Sequence, residues 1–364
     1  MWQGIEGHDR IVDRFRRALE RGRLASTFLF IGPPGIGKRS FALALAKSLL
    51  CERRDEVLLD PCGVCPSCVQ VAAGTHPDVF MLGLPEGKSS IPIKLLIGED
   101  ETRMREGLCY DISRKPFMGN RKIAILDDAD YFNTPAVANC LLKTLEEPPP
   151  RSVIILIGTS ETKQLPTIRS RAQVVRFEPL SQVTVARLLI QKQLVADTAE
   201  AHRLAAFSEG SLSRAIELSD PELWRFREEL LSKLIREPIE SFRLAPSVIT
   251  FVDAAGKEAP PRRARARSLI GFAIAFYRRL LYRQVAIDEP LTGAEGRIAA
   301  DNETDRHVSA AISAGQADPE ATAARIERSL EALSHIDRNA NQATLLEAWL
   351  DDLRLARSAA VVEV

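Results

Sequence analysis

The 364 residues are enough for two or three domains with a sizeable core, and 45% hydrophobic against 27% charged residues is an ordinary globular balance. Lys plus Arg and Asp plus Glu both number 49, a formal net charge of zero that argues against charge-driven, autonomous binding of nucleic acid. No apolar stretch approaches a membrane span and the opening MWQGIEGHDR has no signal-peptide core, so a cytoplasmic setting without a membrane partner is expected.

Along the chain, residues 10–21 carry apolar side chains at helical spacing (Ile11, Phe15, Ala18, Leu19). Thr27–Ile31 reads as an apolar strand, followed by a helix over 39–50. Val79–Leu82, Ile123–Leu126 and Val153–Ile157 are short uninterrupted apolar runs, the pattern of parallel strands buried on both faces. A helix beginning near Thr134 ends at Pro148-Pro-Pro150, and the doubly wound α/β domain closes near Phe177. From Ser181 no strand pattern remains. Short helices are predicted over 181–194 and 197–207, with a break at Gly210-Ser211, and helical spacing recurs over 221–250, 264–284 and 319–358. Ala254–Arg267, with Pro260-Pro261, and Asp288–Asp318 are poor in core residues and are predicted as connectors.

Gly32-Pro-Pro-Gly35-Ile-Gly37-Lys38 lies between the first strand and its helix, where a phosphate loop belongs. Backbone N–H groups and the helix start converge there on phosphate oxygens, glycines allow close approach, and Lys38 adds a charge. A working loop has Ser or Thr next, whose hydroxyl holds Mg²⁺; here the residue is Arg39. Ser40 is turned about 100° further round the helix. The run Ile123-Ala-Ile-Leu-Asp127-Asp128 matches the acidic nucleotide motif, with Asp127 as the metal's acid. Asp128 stands where a longer glutamate usually polarises the attacking water. Both departures weaken one chemistry. The site either still holds the phosphates of ATP/Mg²⁺ and hydrolyses poorly, or is an empty vestige that shapes the fold.

Cys62-Gly-Val-Cys65-Pro-Ser-Cys68, with Cys51 eleven residues earlier, has the ligand spacing of a closed structural Zn²⁺ site. In a reducing compartment clustered thiols favour metal over disulfide. His76 is the alternative fourth ligand; Cys51 is preferred because it would staple the knuckle to the end of the phosphate-loop helix. Cys109 and Cys140 are expected to be core or surface residues. Further on, a strand ends in Thr159-Ser160, where a polar side chain can sense a γ-phosphate, and a short loop leads to Ile168-Arg169-Ser170-Arg171. An arginine on such a loop can reach a neighbouring subunit's nucleotide with a permanently charged fork. Taken alone, any one such arginine reads more readily as a solvated surface residue.

These residues together resemble the AAA+ clamp-loader family. The resemblance rests on Ile5-Glu-Gly7-His8, Gly22-Arg23-Leu24, the Gly32–Lys38 loop with the Cys51/Cys62/Cys65/Cys68 module, and Asn139-Cys-Leu-Leu-Lys-Thr-Leu-Glu-Glu-Pro-Pro149. Ser170-Arg171-Ala172 is similar to the family's Ser-Arg-Cys motif with the cysteine lost, Gly210-Ser211-Leu-Ser-Arg214 to its lid turn, and Asn339-Ala-Asn341 with Leu345-Leu346-Glu347 to its collar helix. It covers residues 1–220 well, 325–358 modestly and 240–320 little. The resemblance implies an α/β AAA+ P-loop domain with a parallel sheet over 1–178, carrying a zinc knuckle at 51–76. A small helical lid over 179–238 and an all-α collar over 239–364 follow. It implies membership of a pentameric ring with motor (tau/gamma) and delta subunits that loads a sliding clamp on primed DNA. Arg171 would then be an arginine finger acting in trans, and Arg214 would lie near a nucleotide. Arg39 and Asp128 fit the family's non-motor subunit better than its ATPase motor. A small-molecule P-loop kinase is disfavoured by the knuckle and the long helical tail, and a zinc-dependent nucleic-acid binder by the zero net charge.

Overall fold

A computed structural model describes residues 2–85, 90–103, 105–132, 135–285, 302–336 and 341–356. The chain divides into two compact units, Met1–Thr184 and Val185–Val364.

The first unit runs α1 (Asp9–Glu20), β1 (Thr27–Ile31), α2 (Lys38–Leu49), α3 (Pro66–Ala73), β2 (Val79–Leu82), α4 (Lys94–Ile97) and α5 (Leu108–Ser113). It continues with β3 (Lys122–Leu126), α6 (Pro135–Glu146), β4 (Ser152–Gly158), α7 (Pro166–Arg169) and β5 (Gln173–Arg176). The sheet is parallel throughout, in the order β2-β3-β4-β1-β5. Alternation along the central strands divides the core. Phe28, Phe30, Ile123, Ile125, Val153 and Ile155 meet Phe15 of α1 and Phe41 and Leu45 of α2 on one face. Leu29, Ala124, Leu126, Ile154 and Leu156 meet Leu96, Ile112 and Leu141 on the other. Strands covered on both faces need apolar residues at every position, hence the continuous runs in the sequence.

Two sequence expectations change here. β2 is a half-buried edge strand with Met81 exposed, because it has a neighbour on one side only. Residues 173–176 form a fifth strand that the pattern did not reveal: on this opposite edge only Val175 is buried.

The second unit is helical, as expected: α8 (Gln182–Gln191, which begins in the first unit), α9 (Thr198–Phe207), α10 (Leu212–Glu217), α11 (Pro221–Leu234) and α12 (Ser241–Asp253), then α13 (Ala259–Gln284), α14 (Asn302–Ser313), α15 (Pro319–Ile336) and α16 (Gln342–Leu355). Two predicted connectors are corrected. Residues 259–267 open α13, since Pro260 and Pro261 occupy first-turn positions where a missing N–H is harmless. Arg265 there bonds Asp220 at 2.9 Å and the Phe251 carbonyl at 3.1 Å. Of 288–318, residues 302–313 are helix α14 with Val308 and Ala311 buried, whereas 286–301 lie outside the described residues. The 221–250 pattern breaks between α11 and α12, and the 319–358 pattern between α15 and α16. Residues 339–340 of the collar resemblance, like Thr134, lie outside the described residues. Arg227, 1% exposed, is a buried cation of this unit. It lies over the rings of Phe207, Trp224 and Phe272 and bonds Thr304 at 2.5 Å and Glu303 at 3.2 Å. Among the described residues no helix is long and apolar enough to cross a membrane.

Candidate functional site

The carboxyl end of β1 delivers the glycine-rich turn, and α2 begins immediately after it. Gly35 and Gly37 adopt positive φ (72° and 97°), the conformation that lets successive N–H groups face one point. Gly32 is required for space: a Cβ there would come within 2.4 Å of the Phe177 carbonyl oxygen. Buried His8 braces the turn, its Nε2 lying 2.8 Å from the Ile36 carbonyl and its ring edge-on to Phe177. Lys38 is buried and folds back, its Nζ donating to the carbonyls of Gly32 and Pro33 at 2.5 Å each. Burial pulls its pKa down to about 8, against the pull of Asp127 and Asp130.

Arg39 turns towards the acidic strand end, its guanidinium 3.7 Å from Asp127 Oδ2. Burial raises the Asp127 carboxyl above its usual range, with repulsion from Asp128 adding to it. Asp128 sits in the left-handed region (φ 55°) and accepts the Leu84 N–H at 3.2 Å. A metal at this turn would need the hydroxyl that the sequence lacks. Arg39 supplies only donors, and it engages the carboxylate that would face the ion. The residues present do not fit Mg²⁺.

Asp130, one turn past this pair, organises the end of β4. Its carboxylate accepts the Thr159 N–H at 3.1 Å, the Thr159 hydroxyl at 2.5 Å and Gln164 Nε2 at 2.5 Å. Gly158 leaves room for this cluster, since a Cβ there would meet both Gln164 and Asp130 within 3 Å. Thr159 was singled out in the sequence; Asp130 and Gln164 were not. The Asp127-Asp128-Ala-Asp130 run held the only clue.

From Thr159 the chain crosses back to the opposite end of the sheet before entering β5. In the β1–β5 register Phe28 pairs with Gln173 and Ile31 with Arg176, so Arg171 falls level with residue 26. Gly32 lies six residues further along, about 20 Å in strand direction. The sheet thus brings Asp127 and Thr159 to the same end as Gly32–Lys38, but sets Arg171 at the other. Arg171 is half-buried, bonding Glu146 at the end of α6 at 2.5 Å and the Thr167 carbonyl at 2.9 Å. Sequence reasoning did not anticipate Glu146 as its partner.

The sulfurs of Cys51, Cys62, Cys65 and Cys68 all lie within 4.8 Å of one another. Tetrahedral Zn–S bonds of about 2.3 Å would set sulfurs roughly 3.8 Å apart, so this donor set could hold such an ion. Backbone N–H groups of Cys62, Cys65 and Cys68 point at the sulfurs of Cys51, Cys62 and Cys65 at 3.3–3.4 Å, an arrangement suited to thiolates. The backbone N–H groups of Val64 and Cys65 help hold the Cys62 pKa down to about 6. His76 faces elsewhere: its Nδ1 accepts the Asp78 N–H at 3.1 Å, and Nε2 lies 3.1 Å from Ser67 Oγ. Cys109 is buried and Cys140 half-buried, apart from the cluster. Below the knuckle, fully buried Asp78 accepts the N–H groups of Phe117, Met118 and Gly119 at 2.7–3.0 Å, with Lys122 at 3.7 Å.

Arg214 belongs to the second unit, on α10, where it pairs with Glu209 at 2.9 Å and lies against Gly271 of α13.

Comparison with known proteins adds the following. Residues 7–181 match a family model described as DNA polymerase III, delta subunit. DNA polymerase III subunit delta' of Pseudomonas aeruginosa is 35% identical over 231 residues, 62% of this chain and 66% of that protein. The Bacillus subtilis subunit of the same name is 31% identical over 210 residues, 58% of each chain. DNA polymerase III subunit gamma/tau of Mycobacterium tuberculosis is 34% identical over 200 residues, 54% of this chain and 32% of that one. The matches thus span under two thirds of these relatives. A gamma subunit-related protein of Thermotoga maritima aligns over 95% of this chain and 99% of its own at 16% identity and a TM-score of 0.36.

Proposed function

We propose that this chain, which belongs to the DNA polymerase III delta' family of clamp-loader subunits, acts in its loader as the subunit that lends catalysis rather than performing it. It assembles with tau/gamma and delta subunits, and the assembly places a sliding clamp on primed DNA. The domain division would follow the family, with the AAA+ domain over 1–178, the lid over 179–238 bringing Arg214 towards a nucleotide, and the collar over 239–364 joining the ring. A Zn²⁺ held by Cys51, Cys62, Cys65 and Cys68 would be structural, because four protein ligands leave no position for a substrate.

The observation that carries this reading is the separation of the chain's two phosphate-directed groups. Arg39 engages Asp127 where a catalytic metal would bind. Arg171 stands at the far end of the sheet, out of reach of its own Gly32–Lys38 turn. An arginine so placed meets a nucleotide only when another subunit supplies one, and there it would offset charge developing on the transferred phosphoryl group. The gamma/tau relatives raise the motor subunit as a second reading. Arg39 and Asp128 weigh against it.

Two measurements test the proposal. The isolated chain should turn over ATP at background rates, and brisk turnover would favour the motor. Mixed with tau/gamma- and delta-type subunits, it should form a stable complex that loads clamps on primed DNA. A chain that forms no such complex refutes the reading.

A further inference from the structure

The misfit between this phosphate loop and Mg²⁺ has a positive side. In an ordinary loop the position after the lysine supplies a neutral hydroxyl, and a divalent ion brings the second positive charge next to the phosphates. Here that position supplies the charge itself. Arg39 is exposed at the first turn of α2, and its guanidinium lies 3.7 Å from the Asp127 carboxylate that would otherwise contact the ion. The groups that shape the turn remain: positive φ at Gly35 and Gly37, the close packing of Gly32 on the Phe177 carbonyl, and the His8 brace beneath Ile36. Arginine presents a rigid planar fork to phosphate oxygens, which no hydroxyl can match.

We infer that the Gly32–Lys38 turn is a metal-independent polyphosphate site, in which Arg39 stands in for Mg²⁺ and selects the free nucleoside triphosphate over its magnesium complex. The inference rests on reading this turn as a nucleotide loop. It assigns the loop a ligand class, a triphosphate tail stripped of its metal. It is compatible with poor hydrolysis there, since Asp128 is shorter than the glutamate that polarises the attacking water.

The test is calorimetric titration of the full chain with the β,γ-imido analogue of ATP, once in EDTA and once in excess Mg²⁺. Wild type should bind at least as tightly in EDTA as in Mg²⁺. Arg39→Thr should lose about tenfold in EDTA and recover affinity when Mg²⁺ is added. The inference is overturned if wild type tightens about tenfold with Mg²⁺, if it shows no saturable binding in EDTA, or if Arg39→Thr behaves like wild type in both buffers. Assembly with tau/gamma- and delta-type subunits, followed on the same preparations, separates the two failures. A chain that assembles and supports clamp loading yet fails the titration loses only this inference.

Discussion

Replacing Arg171 by Ala removes a guanidinium that is held, in the isolated chain, by Glu146 and the Thr167 carbonyl. Both members of the ion pair are substantially exposed, 31% for Arg171 and 48% for Glu146. A pair of that kind contributes no more than about 1 kcal/mol, so folding and assembly should be unaffected by its loss. The same figure bounds the cost of freeing Arg171 to meet a neighbour's nucleotide, a factor of about 5 in equilibrium. An arginine supplied to a phosphoryl-transfer site accelerates it by roughly 10³ or more, so at least about 200-fold should vanish at the one affected site. Where one loading cycle requires every site to fire, the slowed site limits the whole cycle, and steady-state turnover with clamp and primed DNA should drop by about tenfold or more. Arg171→Lys keeps the charge without the fork and should fall between. Glu146→Ala, which only releases the arginine, should leave turnover within about fivefold of wild type. Turnover of an assembled Arg171→Ala loader within about twofold of wild type would refute the assignment.

Further expectations concern the scaffold. Asp78→Ala leaves three part-buried N–H groups and the buried Lys122 ammonium without their acceptor, and should cost about 2–4 kcal/mol in urea unfolding. Burial opposes ionisation of Asp78, but those N–H groups and Lys122 prevail and lower its pKa. A lowered carboxyl pKa stabilises above the unfolded value, so this contribution should fade as pH falls through the folded value and should be missing from the pH profile of Asp78→Asn. The purified chain should carry one tightly held zinc. Stripping it should accelerate hydrogen exchange within 51–76, whereas Cys109→Ser and Cys140→Ser should retain the metal; a metal-free chain of undiminished thermal stability would contradict this. Gly32→Ala forces a methyl against the Phe177 carbonyl and should lose about 1–3 kcal/mol, measured by the same unfolding assay.

What could be read from the sequence was whatever the chain states locally. Strands β1, β3 and β4 announce themselves because burial on both faces leaves no polar position. β5 escapes notice because an edge needs only Val175 inside. α14 was missed because its stability comes from elsewhere: Asp305 meets Arg279 of α13 at 2.7 Å and Glu303 meets Arg227 of α11, partners 26 and 76 residues away. The same holds at the site. Residue types and spacing picked out Lys38, Asp127, Thr159 and the four cysteines, and the family resemblance picked out Arg171. No local pattern foretold that Arg39 would take Asp127, that Glu146 would hold Arg171, or that Asp130 would capture Thr159. Pairings are decided by topology, and a one-dimensional pattern carries them only when both members lie within a turn or two.

The Asp130 cluster has one more implication. With backbone amide and hydroxyl of Thr159 already bound, and Gln164 tied to the same carboxylate, the stretch running on to Arg171 takes its setting from an anchor inside its own chain. Whatever fills or leaves the glycine turn finds this lever already locked.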